Sequence, residues 1–292
     1  MDNKFLLEGV YSAIFSVYDK KGKVIYDTVK KMVDFQLSNG LKGFYVCGNT
    51  GECTILPNST RKEMLEAVVK ANEGRGQIIC HVGAGHLDDV YDLINHANKQ
   101  PIDAIASLPP ALTSYYDQDE CIEYYKDIAA RSKHPVYAYI TPVLRGNVLE
   151  FAKKLVAIPN VLGIKLTISD YYTFGKVAGL NGGSVNILNG PDETMLCGLA
   201  VGAQGAIGTT YNFAPDIAVA IYNCFKENKI AEAREYQQKL NKLIDIGLGH
   251  NLAHWKAFMT VLGYDMGVTM FPAKNVSEEE LQDLKNKLKD VL

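Results

Sequence analysis

Short runs of β-branched and aromatic residues alternate along the chain with longer stretches whose apolar positions recur every three or four residues. Eight strands are predicted: Gly9–Ser16, Gly43–Gly48, Gln77–Gly83, Asp103–Leu108, Pro135–Thr141, Val161–Thr167, Val185–Gly190 and Gly205–Thr210. Runs such as FYVC and VYAYI are apolar at nearly every position, as in strands covered on both faces of a parallel sheet. Amphipathic helices are predicted between them, over Val24–Asn39, Ser59–Asn72, Leu87–Lys99, Asp117–Ser132, Val148–Val156, Asp170–Leu180, Asp192–Val201 and Pro215–Glu227. Strand, helix and strand at this spacing form βαβ units, and eight of them fit a closed barrel better than an open sheet. Three more helices, Lys229–Gly247, Ala253–Leu262 and Glu278–Val291, follow a barrel that is already full, so they are expected on its outside. The expected fold is α/β: a (β/α)8 TIM barrel over 1–227 and a C-terminal three-helix extension over 228–292, in one domain with no Pro/Gly/Ser linker.

Composition narrows the function classes. The chain has 292 residues, 47% of them hydrophobic, enough for a sizeable core. With 22% charged residues, a net charge of −3 and no Lys/Arg run, neither disorder nor nucleic acid nor an anionic membrane surface is indicated. Six cysteines (Cys47, Cys53, Cys80, Cys121, Cys197, Cys224) include no C-x-x-C pair, and several lie in apolar runs. Buried free thiols in a reducing compartment are the expectation. The N-terminus MDNKFLLEGVYS lacks the apolar region of a signal peptide, and no apolar run approaches a bilayer span, so a cytoplasmic, soluble protein is expected.

In such a barrel the chemistry sits at the C-terminal ends of the strands. Lys165 stands out there, flanked by Ile164 and Leu166 in GIKLT. A lysine facing into the barrel is desolvated, which favours the neutral amine needed to attack a carbonyl. The same residue could instead snorkel from an edge or pair with a carboxylate for structure. Tyr139 shares a strand face with Tyr137 in PVYAYITP; it can relay a proton or simply fill the core. GNTGE (Gly48–Glu52) can expose backbone N–H groups to a carboxylate or be an ordinary turn, and Thr50 could hydrogen-bond to Tyr139. Gly202-x-x-Gly205-x-x-Gly208 enters a strand rather than leaving one, so it is no dinucleotide fingerprint. His250 and His254 in HNLAH lack the glutamate of a zinc-protease helix, and no metal site is expected. Lys256 in AHWKAFM reads as amphipathic packing.

Taken together these motifs resemble the N-acetylneuraminate lyase and dihydrodipicolinate synthase superfamily of class I aldolases, from about Gly9 to the end of the tail. GNTGE is similar to the family's G-[ST]-T-G-E carboxylate loop, YITP to its Y-N-x-P proton-relay segment and GIKLT to its Schiff-base strand. The resemblance implies Lys165 as the nucleophile, Tyr139 as the relay, Thr50 as the residue that orients it, and Asn49 in the carboxylate loop. GPDE and GAQGAIGTTYN look like motifs of the sialic acid lyases. They imply Gly190, Asp192, Glu193, Thr167 and Thr209 as substrate-binding residues. On residue type alone, Asp192 and Glu193 would read as the acidic start of a helix. The synthases tend to carry an arginine two residues after the YNxP proline, where this chain has Leu144; Arg145 is one place later.

Three motifs differ from the family pattern. Asn49 stands where Ser or Thr is usual, and Ile140 and Thr141 stand where N-x follows the tyrosine. LPPALTSYY matches P-[FY]-[FY] loosely, which leaves Tyr115 and Tyr116 without an assigned role. The implied reaction is reversible cleavage of N-acetylneuraminate to pyruvate and N-acetylmannosamine, without metal or organic cofactor, by a homotetramer. The alternatives are another pyruvate aldolase such as a dihydrodipicolinate synthase, or a non-catalytic keto-acid or sugar sensor on the same barrel.

Overall fold

The computed structural model describes residues 6–109, 116–142, 144 and 146–289. Eight parallel strands close a barrel in chain order. They are β1 (Gly9–Ala13), β2 (Gly43–Val46), β3 (Gln77–His81), β4 (Ala104–Ser107), β5 (Val136–Ile140), β6 (Val161–Leu166), β7 (Asn186–Asn189) and β8 (Gly205–Gly208). The crossover helices are α1 (Tyr26–Ser38), α2 (Asn58–Asn72), α3 (Leu87–Ala97), α4 (Gln118–Arg131), α5 (Val148–Val156), α6 (Tyr171–Ala178), α7 (Met195–Ala200) and α8 (Pro215–Lys226). α9 (Ile230–Gly247), α10 (Leu252–Val261) and α11 (Glu278–Leu288) form the tail, with α9 packed on α8.

The period of two explains the two cores. In β5, Val136, Ala138 and Ile140 join the apolar layer between strands and helices, whereas Tyr137 belongs to the barrel interior. Ile164 and Leu166 of β6 likewise face the helices, which leaves Lys165 turned inward. Tyr11, Tyr45, Ile79, Tyr137, Leu188 and Ile207 fill the interior among alanines. The chain before β1 closes the N-terminal end: Leu7 N donates to Asn186 Oδ1 (3.0 Å), Asn186 Nδ2 donates to Leu7 O (3.0 Å), and Tyr137 Oη donates to the same Oδ1 (2.6 Å).

Some boundaries differ from the sequence expectation. α1 begins at Tyr26 because Val24 pairs with Tyr18 in an isolated bridge. The helix expected over Asp192–Val201 divides into a 3₁₀ turn, Asp192–Thr194, and α7, since Thr194 leaves helical geometry at φ −133°. Val291, the expected end of the last helix, lies outside the described residues. Among the described residues no helix is long and apolar enough to cross a membrane. Cys47, Cys53, Cys80 and Cys121 are buried free thiols as expected, but Cys197 is exposed on α7 and Cys224 is partly so on α8, each on a helix face that the core does not cover.

Candidate active site

Lys165 is 6% exposed at the C-terminal end of β6 and pairs in register with Tyr139 of β5. Its Nζ lies 4.2 Å from the centre of the Tyr139 ring and 4.7 Å from that of Tyr45. Those rings meet edge to face with centroids 6.3 Å apart. Among the described residues no carboxylate forms an ion pair with Lys165. Neither snorkelling nor structural pairing therefore accounts for it. The aromatic faces provide a surface that attracts positive charge in a dry setting. The Tyr45 hydroxyl is buried without a partner, and burial pushes its pKa well up, so it stays protonated.

The GNTGE loop follows β2. Glu52 N donates to Asn49 O (3.0 Å) and Cys53 N to Gly48 O (3.1 Å), while Ser16 Oγ donates to Gly51 O (2.8 Å). Glu52 takes left-handed backbone at φ 62° to close the turn. Among the described residues the N–H groups of Asn49, Thr50 and Gly51 have no protein acceptor. Successive free N–H groups in a tight turn make a nest for an anion. Asn49 is exposed, and its Oδ1 accepts from Cys53 Sγ (3.3 Å). The Thr50 hydroxyl does not meet Tyr139 as expected: it lies 2.6 Å from Thr209 Oγ1 and ties the β2 loop to the end of β8. Sequence can place Thr50 in the loop but cannot fix the rotamer that selects its partner.

Thr167 Oγ1, two residues beyond Lys165, is a further buried hydroxyl without a partner. Gly190 makes room for it, because a Cβ at 190 would overlap Thr167 Oγ1 and sit 2.9 Å from Thr167 Cβ. Asp192 is buried, and its Oδ2 accepts from Thr210 N (2.7 Å) and Thr210 Oγ1 (2.6 Å). Burial pushes its pKa up to about 6, outweighing those two hydrogen bonds. Glu193 beside it is exposed. The tail grips this segment by its backbone: Gln237 Nε2 of α9 donates to Asp192 O (3.0 Å) and Asn241 Nδ2 to Glu193 O (3.1 Å).

Asn49, Thr50, Thr167, Gly190, Asp192, Glu193 and Thr209 all line one cavity of about 830 Å³. That is the size of a small-molecule site, with polar groups converging from several strand ends. Lys165 and Tyr139 are not in its wall; they lie two residues before Thr167 and three before Pro142, both of which are. The tail also lines this cavity, which the sequence did not reveal. Ile244, Leu248, Leu252 and Trp255 present an apolar surface from the tail, with Asp245 and His250 among them. His250 and His254 stack with ring centroids 3.8 Å apart, and among the described residues no metal-ready cluster of three His, Cys, Asp or Glu side chains occurs.

Lys256 needs correcting as well. It is not amphipathic packing but a buried lysine paired with Glu52 (3.3 Å), a partner 204 residues away that no local pattern could show. Leu144 is buried in the core. Tyr116 is exposed, and Tyr115 and Arg145 lie outside the described residues.

The chain matches the dihydrodipicolinate synthetase family over residues 6–291. It is 34% identical to an N-acetylneuraminate lyase of Rhizobium meliloti (strain 1021), covering 98% of this chain and 96% of that one. Its fold superimposes on Proteus mirabilis N-acetylneuraminate lyase with a TM-score of 0.91, 27% identity and 98% coverage of both chains. A catalytic lysine mutant of the Ruminococcus gnavus sialic acid aldolase matches with a TM-score of 0.90 at 28% identity, over 98% of this chain and 97% of that one.

Proposed function

The chain belongs to the dihydrodipicolinate synthetase family, and on that premise we propose that it is a Schiff-base aldolase cleaving N-acetylneuraminate reversibly to pyruvate and N-acetylmannosamine. The observation that carries this reading is Lys165: buried, without a carboxylate partner among the described residues, and set between two aromatic faces beside the cavity that Thr167 and Asp192 line.

The Lys165 amine adds to the C2 keto carbon of the open-chain sugar acid, and water leaves to give a protonated imine. The Tyr45 and Tyr139 rings suit that cation. Tyr139, having given its phenolic proton to the carbinolamine hydroxyl that leaves as that water, accepts the proton of the C4 hydroxyl as the C3–C4 bond breaks. The bonding electrons pass into the imine to form an enamine, and the C4 fragment departs as an aldehyde. Protonation of the enamine at C3 and hydrolysis return pyruvate and the free amine. The free N–H groups of Asn49, Thr50 and Gly51 bind the keto-acid carboxylate. Thr167, Gly190, Asp192, Glu193 and Thr209 hold the polyol, where an unmatched buried polar group discriminates strongly against the wrong substrate. Thr50 acts by linking the carboxylate loop to Thr209 and the polyol side of the site.

Leu144, packed in the core where the synthases tend to carry an arginine, supports the lyase over the synthase. We further take the working form to be a cytoplasmic homotetramer that needs no cofactor, since the imine itself is the electron sink. The test is pyruvate release from N-acetylneuraminate, with Lys165→Ala as control. Release that disappears in the variant is expected. Release by Lys165→Ala at near-normal rate would overturn the nucleophile, and no release by the parent enzyme would overturn the substrate.

A further inference from the structure

The nest formed by Asn49, Thr50 and Gly51 is only as well shaped as the residue that closes it. That residue is Glu52, whose N–H completes the turn and whose left-handed backbone sets the direction in which the loop leaves. Its side chain points away from solvent and is 0% exposed. The carboxylate accepts from the Tyr18 hydroxyl, from Met270 N (3.2 Å) and from Lys256 Nζ (3.3 Å). A buried carboxylate is tolerated only when its oxygens are so matched.

Lys256 is the hub of this arrangement. It is 4% exposed on α10, donates also to Val268 O (2.7 Å) and lies 4.7 Å over the Tyr18 ring. Tyr18 is itself tied to the tail, since Val268 N donates to Tyr18 O (3.1 Å) and Met270 N to the Tyr18 hydroxyl (2.9 Å). One cation of the extension therefore fixes the loop after β2 to the segment after β1 and to residues 268–270.

We propose that Lys256 is a positioning residue for the keto-acid carboxylate, acting through Glu52 on the curvature of the Asn49–Gly51 loop. This rests on the reading of that loop as the carboxylate site. Lys256 touches no substrate. Its effect falls on binding of the keto acid and leaves bond cleavage, which Lys165 and Tyr139 carry out, largely alone.

The test uses the full-length double variant Glu52→Gln/Lys256→Met, which removes both charges and strands neither. Tyr18→Phe, which deletes one donor to Glu52 without opening a cavity, serves if the double variant does not fold. Borohydride trapping with saturating pyruvate first counts the competent sites. Per competent site, KM for pyruvate in the synthetic direction should rise about tenfold in the double variant and about threefold in Tyr18→Phe. KM for N-acetylmannosamine and kcat should stay within about twofold. An unchanged KM for pyruvate would overturn the proposal, and so would equal losses in all three constants, the mark of a purely structural role. Trapping of acetone by the parent enzyme tests the underlying premise separately. If acetone, which has no carboxylate, is trapped as readily as pyruvate, the loop is not a carboxylate site and both ideas fall. If the parent enzyme prefers pyruvate but the variants keep its KM, only the role of Lys256 falls.

Discussion

The Asp192 carboxyl should contribute less stability at neutral pH than at acid pH, and Asp192→Asn should remove that contribution. The carboxyl is 8% exposed, and burial raises its folded-state pKa from 3.8 to about 6. A carboxyl raised in the folded state binds its proton more tightly there than in the unfolded chain. The contribution of Asp192 to stability therefore falls as pH rises from about 4 to about 6 and stays at the lower level above that window. That difference between the folded and unfolded carboxyl corresponds to about 3 kcal/mol. Asparagine carries no charge to desolvate and keeps one oxygen to accept from Thr210 N and Oγ1. The stability of Asp192→Asn relative to the parent should thus grow by up to about 3 kcal/mol between pH 4 and pH 7, a difference in Tm on the order of 5 °C for a chain of this size. Any constant offset from altered bonding is the same at every pH and drops out. Thermal scans of both proteins across pH 4–8 measure it, and an offset that stays flat would refute the placement of the charge. Turnover of N-acetylneuraminate should fall in the same variant, because a residue that costs stability in a substrate cavity is kept for what it binds.

Two other substitutions probe the site. Tyr139→Phe keeps the ring that lies 4.2 Å from Lys165 Nζ but loses the hydroxyl. It should lower the rate by about 10²- to 10⁴-fold while pyruvate is still trapped by borohydride, and a near-normal rate would exclude the relay. Gly190→Ala drives a methyl group into Thr167, with Thr167 Cα only 3.2 Å away, so β6 and β7 must part. A loss of about 1–3 kcal/mol is expected in thermal or urea unfolding, and an unaffected midpoint would show that the two strand ends are looser than described.

The barrel was legible because its signal is local. Period-two alternation in VYAYI and the apolar flanks of Lys165 depend on neighbours in the chain, and the inward positions follow from them. Lys165 and Lys256 carry the same sign, a charge among apolar residues. Only the first has a strand-end position that suggests its chemistry; the second takes its meaning from Glu52, 204 residues away. Gln237 and Asn241 left no trace because they bond to backbone carbonyls, which have no residue identity to match. Tyr45 sits in a predicted strand, but nothing in GFYV says that a lysine from β6 lies over its ring.

The bonds among Leu7, Asn186 and Tyr137 stopper the far end of the barrel, and this dictates traffic. With the tube filled below Lys165, and on the nucleophilic role proposed for it, reactants reach the amine and leave it from the strand-end side alone. The fragment joined to nitrogen is the innermost, and its partner lies between it and the exit. In cleavage the sugar aldehyde must depart before the keto acid can, and in synthesis the keto acid must arrive first. Queueing order is thus written into the fold by side chains that never touch the chemistry.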